Sequence, residues 1–132
     1  MENFQIKNIF DNISKGEMDQ VAGIKITHLA GGEDLSFYLA EIESHKKINA
    51  HYHADGTEIY QIFEGSGEIR ISKNENTNHW DIKKIVKKGD CFSVQEGEVH
   101  QLVNTGEEKL ILLFACPKSH LSNDRTVVAI EN

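Results

Sequence analysis

Residues 51–58 read HYHADGTE and form the most informative segment of the chain. Because side chains alternate across a β-strand, His51 and His53 should point to one face of a strand. The ADGT segment that follows has the residues of a tight turn. Glu58 then begins a second strand, which can carry its carboxylate to a position beside the two imidazoles. The segment therefore predicts two strands around a turn, with three metal-competent side chains close together.

A fourth group of the same kind lies further along the chain. His100 opens another predicted strand, after a turn at Gly97. Three neutral imidazoles and one carboxylate make a donor set suited to a borderline divalent metal. The remaining histidines lack local partners of this kind and are interpreted as surface or structural residues: His28, His45, His79 and His120.

Short strands separated by Gly, Asn and Asp turns continue on both sides of this segment. Helical signals are few, and residues 9–22 could hold one short helix with Asp11 or Ser14 as its cap. Many short strands and little helix predict an all-β sandwich or barrel, in which closing the sheet removes exposed edges. Strands are predicted at 24–29, 36–42, 48–53, 58–63, 68–72, 80–86, 91–94, 99–104 and 110–115, with a further strand at 125–130.

The bulk composition excludes several classes of protein. A length of 132 residues suits one domain, and 39% hydrophobic with 27% charged residues is usual for a soluble globular protein. No apolar run is long enough to span a bilayer. Residues 1–7 do not resemble a signal peptide, so a cytoplasmic location is expected. The formal net charge of −7 argues against nucleic acid and anionic membranes as partners.

Two local features have structural interpretations. Lys83, Lys84, Lys87 and Lys88 alternate with apolar residues, which favours a solvated strand face over a phosphate or nucleic-acid patch. Cys91 and Cys116 lie in apolar segments without a C-x-x-C partner. They are expected to be reduced, buried core residues.

The two histidine-containing segments together resemble the cupin superfamily. The first cupin motif has the form G-x5-H-x-H-x3-4-E-x6-G, and the chain matches it from His51 to Gly65. The second has the form G-x5-P-x-G-x2-H-x3-N, and four positions match it at the expected offsets: Gly89, Gly97, His100 and Asn104. The chain departs from the motifs at two turn positions, where His45 replaces a glycine and Gln95 replaces a proline.

The resemblance implies a double-stranded β-helix, or jelly-roll barrel, over a single domain at 1–132. The first motif then occupies about 45–65 and the second about 89–104. By the same resemblance the metal ligands are His51, His53, Glu58 and His100. One divalent transition metal is expected, namely Fe, Mn, Ni or Zn, and the donor set leaves the choice among them open.

Four protein ligands leave one or two positions open on a five- or six-coordinate ion. A metal-dependent enzyme acting on a small metabolite is therefore expected, of the oxygenase, lyase or isomerase type. A binding module that holds a small molecule without chemistry is the alternative, and a structural or storage role is a third.

Tyr60 lies two positions after Glu58 and hence on the same strand face. A phenol near a cation could have its pKa lowered and act as a general base, or it could simply fill the barrel.

The chain ends bear on the oligomeric state. The apolar residues at 4–6 and 127–130 could cross to a partner in a homodimer, or pack on their own domain.

Overall fold

The computed structural model describes residues 4–76 and 78–130. Within these ranges β-strands dominate. One α-helix, α1, spans Ile9–Asn12, and one 3-10 helix spans Lys118–Leu121. The strands are β1 (Glu17–Asp19), β2 (Ile24–Gly31), β3 (Ser36–Ile42), β4 (His51–Tyr52), β5 (Glu58–Glu64), β6 (Ser66–Ser72), β7 (Ile82–Lys87), β8 (Cys91–Val94), β9 (Val99–Asn104), β10 (Leu110–Cys116) and β11 (Thr126–Val127).

The strands form two antiparallel sheets that enclose a common core. The first sheet has the order β1-β2-β3-β10-β5-β8, and the second has the order β11-β4-β9-β6-β7. From β3 onwards, consecutive strands lie in different sheets except for the hairpin of β6 and β7, as in a jelly roll. The predicted all-β jelly-roll fold is thus confirmed, together with its single short α-helix near the start of the chain.

The strand β5 shows how the sequence builds this core. Its alternating pattern turns Glu58, Tyr60 and Ile62 inwards, while Ile59 and Gln61 are exposed. The strand β10 is different, because most of the run LILLFAC is buried on both faces. Its outer face packs in a second, smaller cluster with Leu29 and Leu39, against which Ile9 and Ile13 also pack. A strand that is covered on both faces has a continuous run of apolar residues in its sequence, instead of an alternating pattern.

Two predicted elements are shorter than expected. Of residues 48–53, only His51–Tyr52 forms a regular strand, although Ile48 still donates a backbone hydrogen bond to Leu102. Of residues 9–22, only 9–12 are helical, and Asn8 caps the helix rather than Asp11 or Ser14. Ser14 has a φ of 71°, which ends any helical continuation, and the chain then enters β1.

The strand near the end of the chain pairs within the molecule. Thr126 and Val127 form β11 and pair with Tyr52 and His51 of β4. The predicted strand at 125–130 therefore exists in a shorter form. Within this chain the residues of β11 therefore pack on their own domain, which is one of the two alternatives predicted from the sequence.

His45 stands where the first cupin motif has glycine, and its backbone conformation shows why glycine is favoured at this position. His45 adopts a φ of 62°, in the left-handed region that favours glycine. The turn is therefore retained despite the substitution. The motif glycines Gly65, Gly89 and Gly97 likewise have positive φ values, of 91°, 93° and 77°.

Three other expectations can be compared with the structure. Cys116 is buried, but Cys91 is exposed because it lies at the start of the edge strand β8, so the prediction of two buried cysteines was wrong for Cys91. The four lysines of residues 83–88 are exposed, as expected for a solvated strand face. Among the described residues, no helix has the length and apolar character needed to cross a membrane.

Candidate metal centre

Three strands from both sheets bring the four predicted ligands together inside the fold. His51 of β4 lies directly opposite His100 of β9 in the second sheet. Glu58 begins β5 in the first sheet, and His53 follows directly after β4. All four side chains are buried, with exposures between 1% and 6%. The four residues predicted as ligands therefore lie in one cluster.

The three histidines share one hydrogen-bonding pattern. Nδ1 of His51 lies 2.7 Å from the carbonyl oxygen of Asn49, and Nδ1 of His53 lies 2.6 Å from that of Asp124. Nδ1 of His100 lies 3.1 Å from the carbonyl oxygen of Glu98. A carbonyl oxygen can only accept, so each Nδ1 carries the proton in the neutral ring. Each Nε2 is thereby left with a lone pair, the arrangement typical of metal-binding histidines.

The ligand atoms of these histidines and of Glu58 lie close together. The ligand nitrogens of His51, His53 and His100 all lie within 4.8 Å of one another. Nε2 of His53 lies 3.1 Å from Oε2 of Glu58, and Nε2 of His100 lies 3.5 Å from its Oε1. Within the described part of the chain, both of these nitrogens and Oε1 are buried without a hydrogen-bond partner.

Buried acceptors that face one another are unfavourable unless a cation or proton lies between them. Two ligands on a divalent ion with bonds of about 2.1 Å stand about 3 Å apart when they are at right angles. The separations around Glu58 have this magnitude. The residues present therefore fit a divalent metal, which His51, His53, Glu58 and His100 would hold.

The protonation states also suit metal binding, which needs neutral imidazoles and an ionised carboxylate. Burial, assisted by the neighbouring His100, holds the pKa of His51 well below its usual 6.5. Burial alone would raise the pKa of Glu58. The surrounding imidazoles of His100, His120 and His53 outweigh it and hold that pKa well below 4.5.

His120 is a fifth member of the cluster, although its lack of local partners in the sequence indicated a surface or structural residue. It lies on the 3-10 helix after β10, with a side chain that is 0% exposed. Its Nδ1 lies 2.9 Å from Oε2 of Glu58, and its Nε2 contacts the carbonyl oxygen of Asp55. Its ring stacks on that of His53, with centroids 4.0 Å apart and planes 2° from parallel.

Both partners of His120 are hydrogen-bond acceptors, so both of its nitrogens must donate. Burial opposes the resulting positive charge, but the bonds to Glu58 and Asp55 outweigh it and raise the pKa of His120 above 6.5. A histidine that donates from both nitrogens has no lone pair for a metal. In this arrangement His120 orients Glu58, although its ligand atom also lies within 4.8 Å of those of His53 and Glu58.

The other histidines interpreted as surface or structural residues have partners outside the cluster. Nε2 of His28 lies 3.0 Å from Oγ of Ser36. His45 pairs with Glu107 and His79 with Asp81, both at exposed positions. These three residues do not join the site.

Tyr60 points into the barrel, as its spacing from Glu58 predicts, and it is buried. Its ring lies 5.2 Å from that of Phe92 and 6.0 Å from that of His100. Burial, reinforced by the Glu58 carboxylate, raises its pKa well above 10. The side chain is therefore a neutral phenol here. Similarly, burial and Glu58 raise the pKa of the Cys116 thiol, which favours a core role over a nucleophilic one.

A cavity lies beside the cluster, with a volume of ≈ 20 Å³. This is about the space that one water-sized sphere needs. Its wall is mostly apolar, and residues from the later part of the chain close one side of it. It is lined by Ala22, Ile24, Ile26, Ile48, His51, His53, Glu58, Tyr60, Phe114, His120, Leu121 and Arg125.

Known proteins share both the sequence pattern and the fold of this chain. Residues 38–116, more than half of the chain, match the family model of the Cupin domain. The chain therefore belongs to the cupin family. The matched range contains all four predicted ligands but ends before His120.

Individual relatives agree with this assignment. A putative germin-like protein 2-1 from Oryza sativa subsp. japonica is 29% identical over 106 residues, which are 79% of this chain and 49% of that protein. The chain thus spans about half the length of this curated relative.

Solved structures share the fold at low sequence identity. A Cupin 2 conserved barrel domain protein from Salinispora arenicola CNS-205 superposes with a TM-score of 0.68 at 13% identity, covering 92% of this chain and 95% of that one. The capsular polysaccharide assembling protein CapF from Staphylococcus aureus gives a TM-score of 0.71 at 16% identity, covering 81% of this chain and 32% of that one.

Proposed function

We propose that the protein is a divalent-metal-binding cupin that acts as a metal-dependent enzyme on a small metabolite. The ligands are His51, His53, Glu58 and His100. The ion is Fe, Mn, Ni or Zn. The observation that carries the proposal is the convergence of buried, unpartnered acceptor atoms from three of these residues, with the Nδ1 atoms of all three histidines fixed by backbone carbonyls.

A metal held by these residues would supply Lewis-acid or redox chemistry at its open coordination positions. The chain's own groups would do the rest. The apolar wall, which includes Ile48 and Phe114, offers water few hydrogen-bonding partners in the cavity. Tyr60 presents a neutral hydroxyl, which suits donation of a proton or a hydrogen bond better than the general-base role considered from sequence. An oxygenase, lyase or isomerase reaction is compatible with these groups.

The metal proposal is tested by elemental analysis of protein purified without added metal. We expect close to one equivalent of a divalent transition metal in the wild type. His100→Ala should lose both metal and turnover, because it removes a buried ligand. His45→Ala is the matched control, since His45 is exposed and lies outside the cluster. Full metal occupancy in His100→Ala, or turnover by metal-free wild type, would refute the proposal.

A non-catalytic binding role is the second candidate, and the neutral state of Tyr60 favours it, because a phenol with a raised pKa is a poor general base. The cavity volume of ≈ 20 Å³ limits a substrate and a bound ligand alike to few heavy atoms unless the wall moves. Incubation of the metal-loaded protein with small acids, sugars and thiols, monitored by oxygen uptake and product analysis, separates the two. Ligand-induced thermal shifts without any product would favour the binding role.

We also propose a homodimer, which the exposed apolar residues of the first segment support. Phe4, Ile6 and Phe10 are 81%, 85% and 71% exposed. Light scattering coupled to size exclusion measures the mass directly, and a mass near the 14.9 kDa of one chain would refute the dimer.

A further inference from the structure

Arg125 is the one arginine that lines the cavity, and one of its donors is unused. Its side chain is 8% exposed. Nη1 donates to Oδ2 of Asp19 at 2.7 Å, and Nη2 donates to the carbonyl oxygen of Leu121 at 3.1 Å. Nε is buried and, among the described residues, has no hydrogen-bond partner. Arg125 also shares the cavity wall with His51, His53 and Glu58.

An unpaired buried donor on a charged group is unfavourable, so its presence in a side chain that lines the cavity needs an explanation. If Arg125 served only to hold its segment against Asp19 and Leu121, the bonds from Nη1 and Nη2 would be sufficient. Such a purely structural role leaves Nε without a function. A guanidinium N–H prefers an anionic oxygen, and carboxylates fit its planar geometry.

The charges around the cavity favour an anion once the proposed ion is bound. Among the described lining residues Glu58 is the one carboxylate, and the guanidinium of Arg125 lies on the same wall. A divalent ion bound to the cluster would add further positive charge. The small volume favours a ligand of few heavy atoms. A single free Nε suits a carboxylate better than a phosphate, whose oxygens need more donors.

We infer that Arg125 binds the carboxylate of a small organic acid whose other end reaches the metal. The inference rests on the proposed metal site and adds to it the chemical class of the ligand. The ligand thus lies between the ion and Nε of Arg125. Asp19 and the Leu121 carbonyl hold the guanidinium so that Nε remains available.

The test uses metal-loaded protein and two probes, malonate and its monoamide malonamate, titrated by calorimetry. Both keep one carboxylate for the ion. Because malonate can also chelate the ion with both carboxylates, the change in the affinity difference on substitution of Arg125 reports the contact of the far group. In the wild type malonate should bind more tightly than malonamate. Arg125→Gln should lower the affinity for malonate by about 10- to 100-fold, the magnitude of one hydrogen bond between charged groups. The affinity for malonamate should stay nearly unchanged.

Three further variants make the result specific. Arg70→Gln makes the same chemical change on β6, where Arg70 bonds Glu68 and Gln101 away from the cavity, and should leave both affinities unchanged. Asp19→Asn breaks the ion pair but keeps the guanidinium, and should retain the preference for malonate. Arg125→Lys keeps the charge and the pairing with Asp19. Arg125→Lys replaces Arg125→Gln if the glutamine variant does not fold. It should also lose the preference for malonate over malonamate.

The outcomes separate the failure of this inference from failure of the metal site. Metal content is measured in every variant, and its absence in the wild type would overturn the proposed function. An unchanged ratio of malonate to malonamate affinity in a metal-containing Arg125 variant would overturn the ligand assignment. Equal losses of malonate affinity in the Arg125 and Asp19 variants would show that Arg125 only holds its segment in place and does not bind the ligand. Stronger binding of inorganic phosphate than of malonate by the wild type would overturn the carboxylate class.

Discussion

At the scale of single residues, the site depends on groups that fix one another. Each strand histidine donates Nδ1–H to a backbone carbonyl, so its tautomer is set by the fold. Glu58 is in turn oriented by His120, which also holds the carbonyl of Asp55. Such outer partners tune affinity rather than create it, and their loss typically weakens metal binding by about 10- to 100-fold.

Replacement of His120 by glutamine tests whether it positions Glu58 or ligates the metal. The amide can still donate one hydrogen bond to Glu58 but is a poor substitute for an imidazole ligand. We therefore expect retained metal stoichiometry and an affinity lowered by at most about 100-fold. Competition with a chelator of known affinity measures the change. Loss of the metal to the extent expected for His100→Ala would make His120 a ligand instead.

At the scale of elements, the neighbouring strands β6 and β9 lie especially close to each other at Gly67. Gly67 of β6 lies against the backbone of β9, and an added Cβ would meet the carbonyl oxygen of Val103 and lie 2.9 Å from Cδ2 of Leu110. Both neighbours are held in strands, one by its backbone and one by a fully buried side chain. A methyl group here therefore forces β6 away from β9 in its own sheet and from β10 in the other sheet.

Gly67→Ala should accordingly lower the free energy of unfolding by about 1–3 kcal/mol, the usual effect of overpacking. Urea denaturation followed by circular dichroism measures it. Gly32→Ala is the matched control, because a Cβ there meets no atom within 4 Å, and its effect should stay within about 0.5 kcal/mol. Equal stability of the two variants would contradict this account of the packing.

The segment after the 3-10 helix is fastened to β1 by an ion pair whose strength depends on pH. Asp19 accepts hydrogen bonds from the backbone of Val21 and Ala22 and pairs with Arg125. Burial opposes ionisation of Asp19, but these bonds, with Arg125 foremost, outweigh it and hold its pKa below 3.8. The stability that a depressed pKa contributes is present above 3.8 and is lost as the pH falls through the folded-state value.

Asp19→Asn should therefore be less stable than the wild type at neutral pH, by about 1–2 kcal/mol for a partly exposed charged hydrogen bond. The difference should shrink as the pH falls below 3.8. Urea denaturation of both proteins across this range gives the comparison. A constant difference at every pH would show that ionisation of Asp19 does not contribute.

At the scale of the whole molecule, the parts found from sequence are those with local patterns. The alternation in β5 and the glycine turns predict strands, and the spacing around residues 51–58 predicts the first three ligands. His120 and Arg125 escaped prediction because they reach the site from a segment beyond β10, by contacts 62 residues from Glu58 and 106 residues from Asp19. The predicted strand at 48–53 was too long, because the extended residues before the two-residue strand β4 make only isolated hydrogen bonds.

Because the proposed ligands come from both sheets, metal binding should stabilise the whole fold. An unfolded chain has no preformed site, so the binding free energy adds to the folding free energy. At a free metal concentration 100-fold above Kd the gain is about 2.7 kcal/mol, which for a chain of this size raises Tm by on the order of 10 °C. Differential scanning calorimetry of chelator-treated protein, before and after readdition of each candidate ion, measures it. His100→Ala should show almost no shift, and an unchanged Tm in the wild type would mean that no ion joins the two sheets.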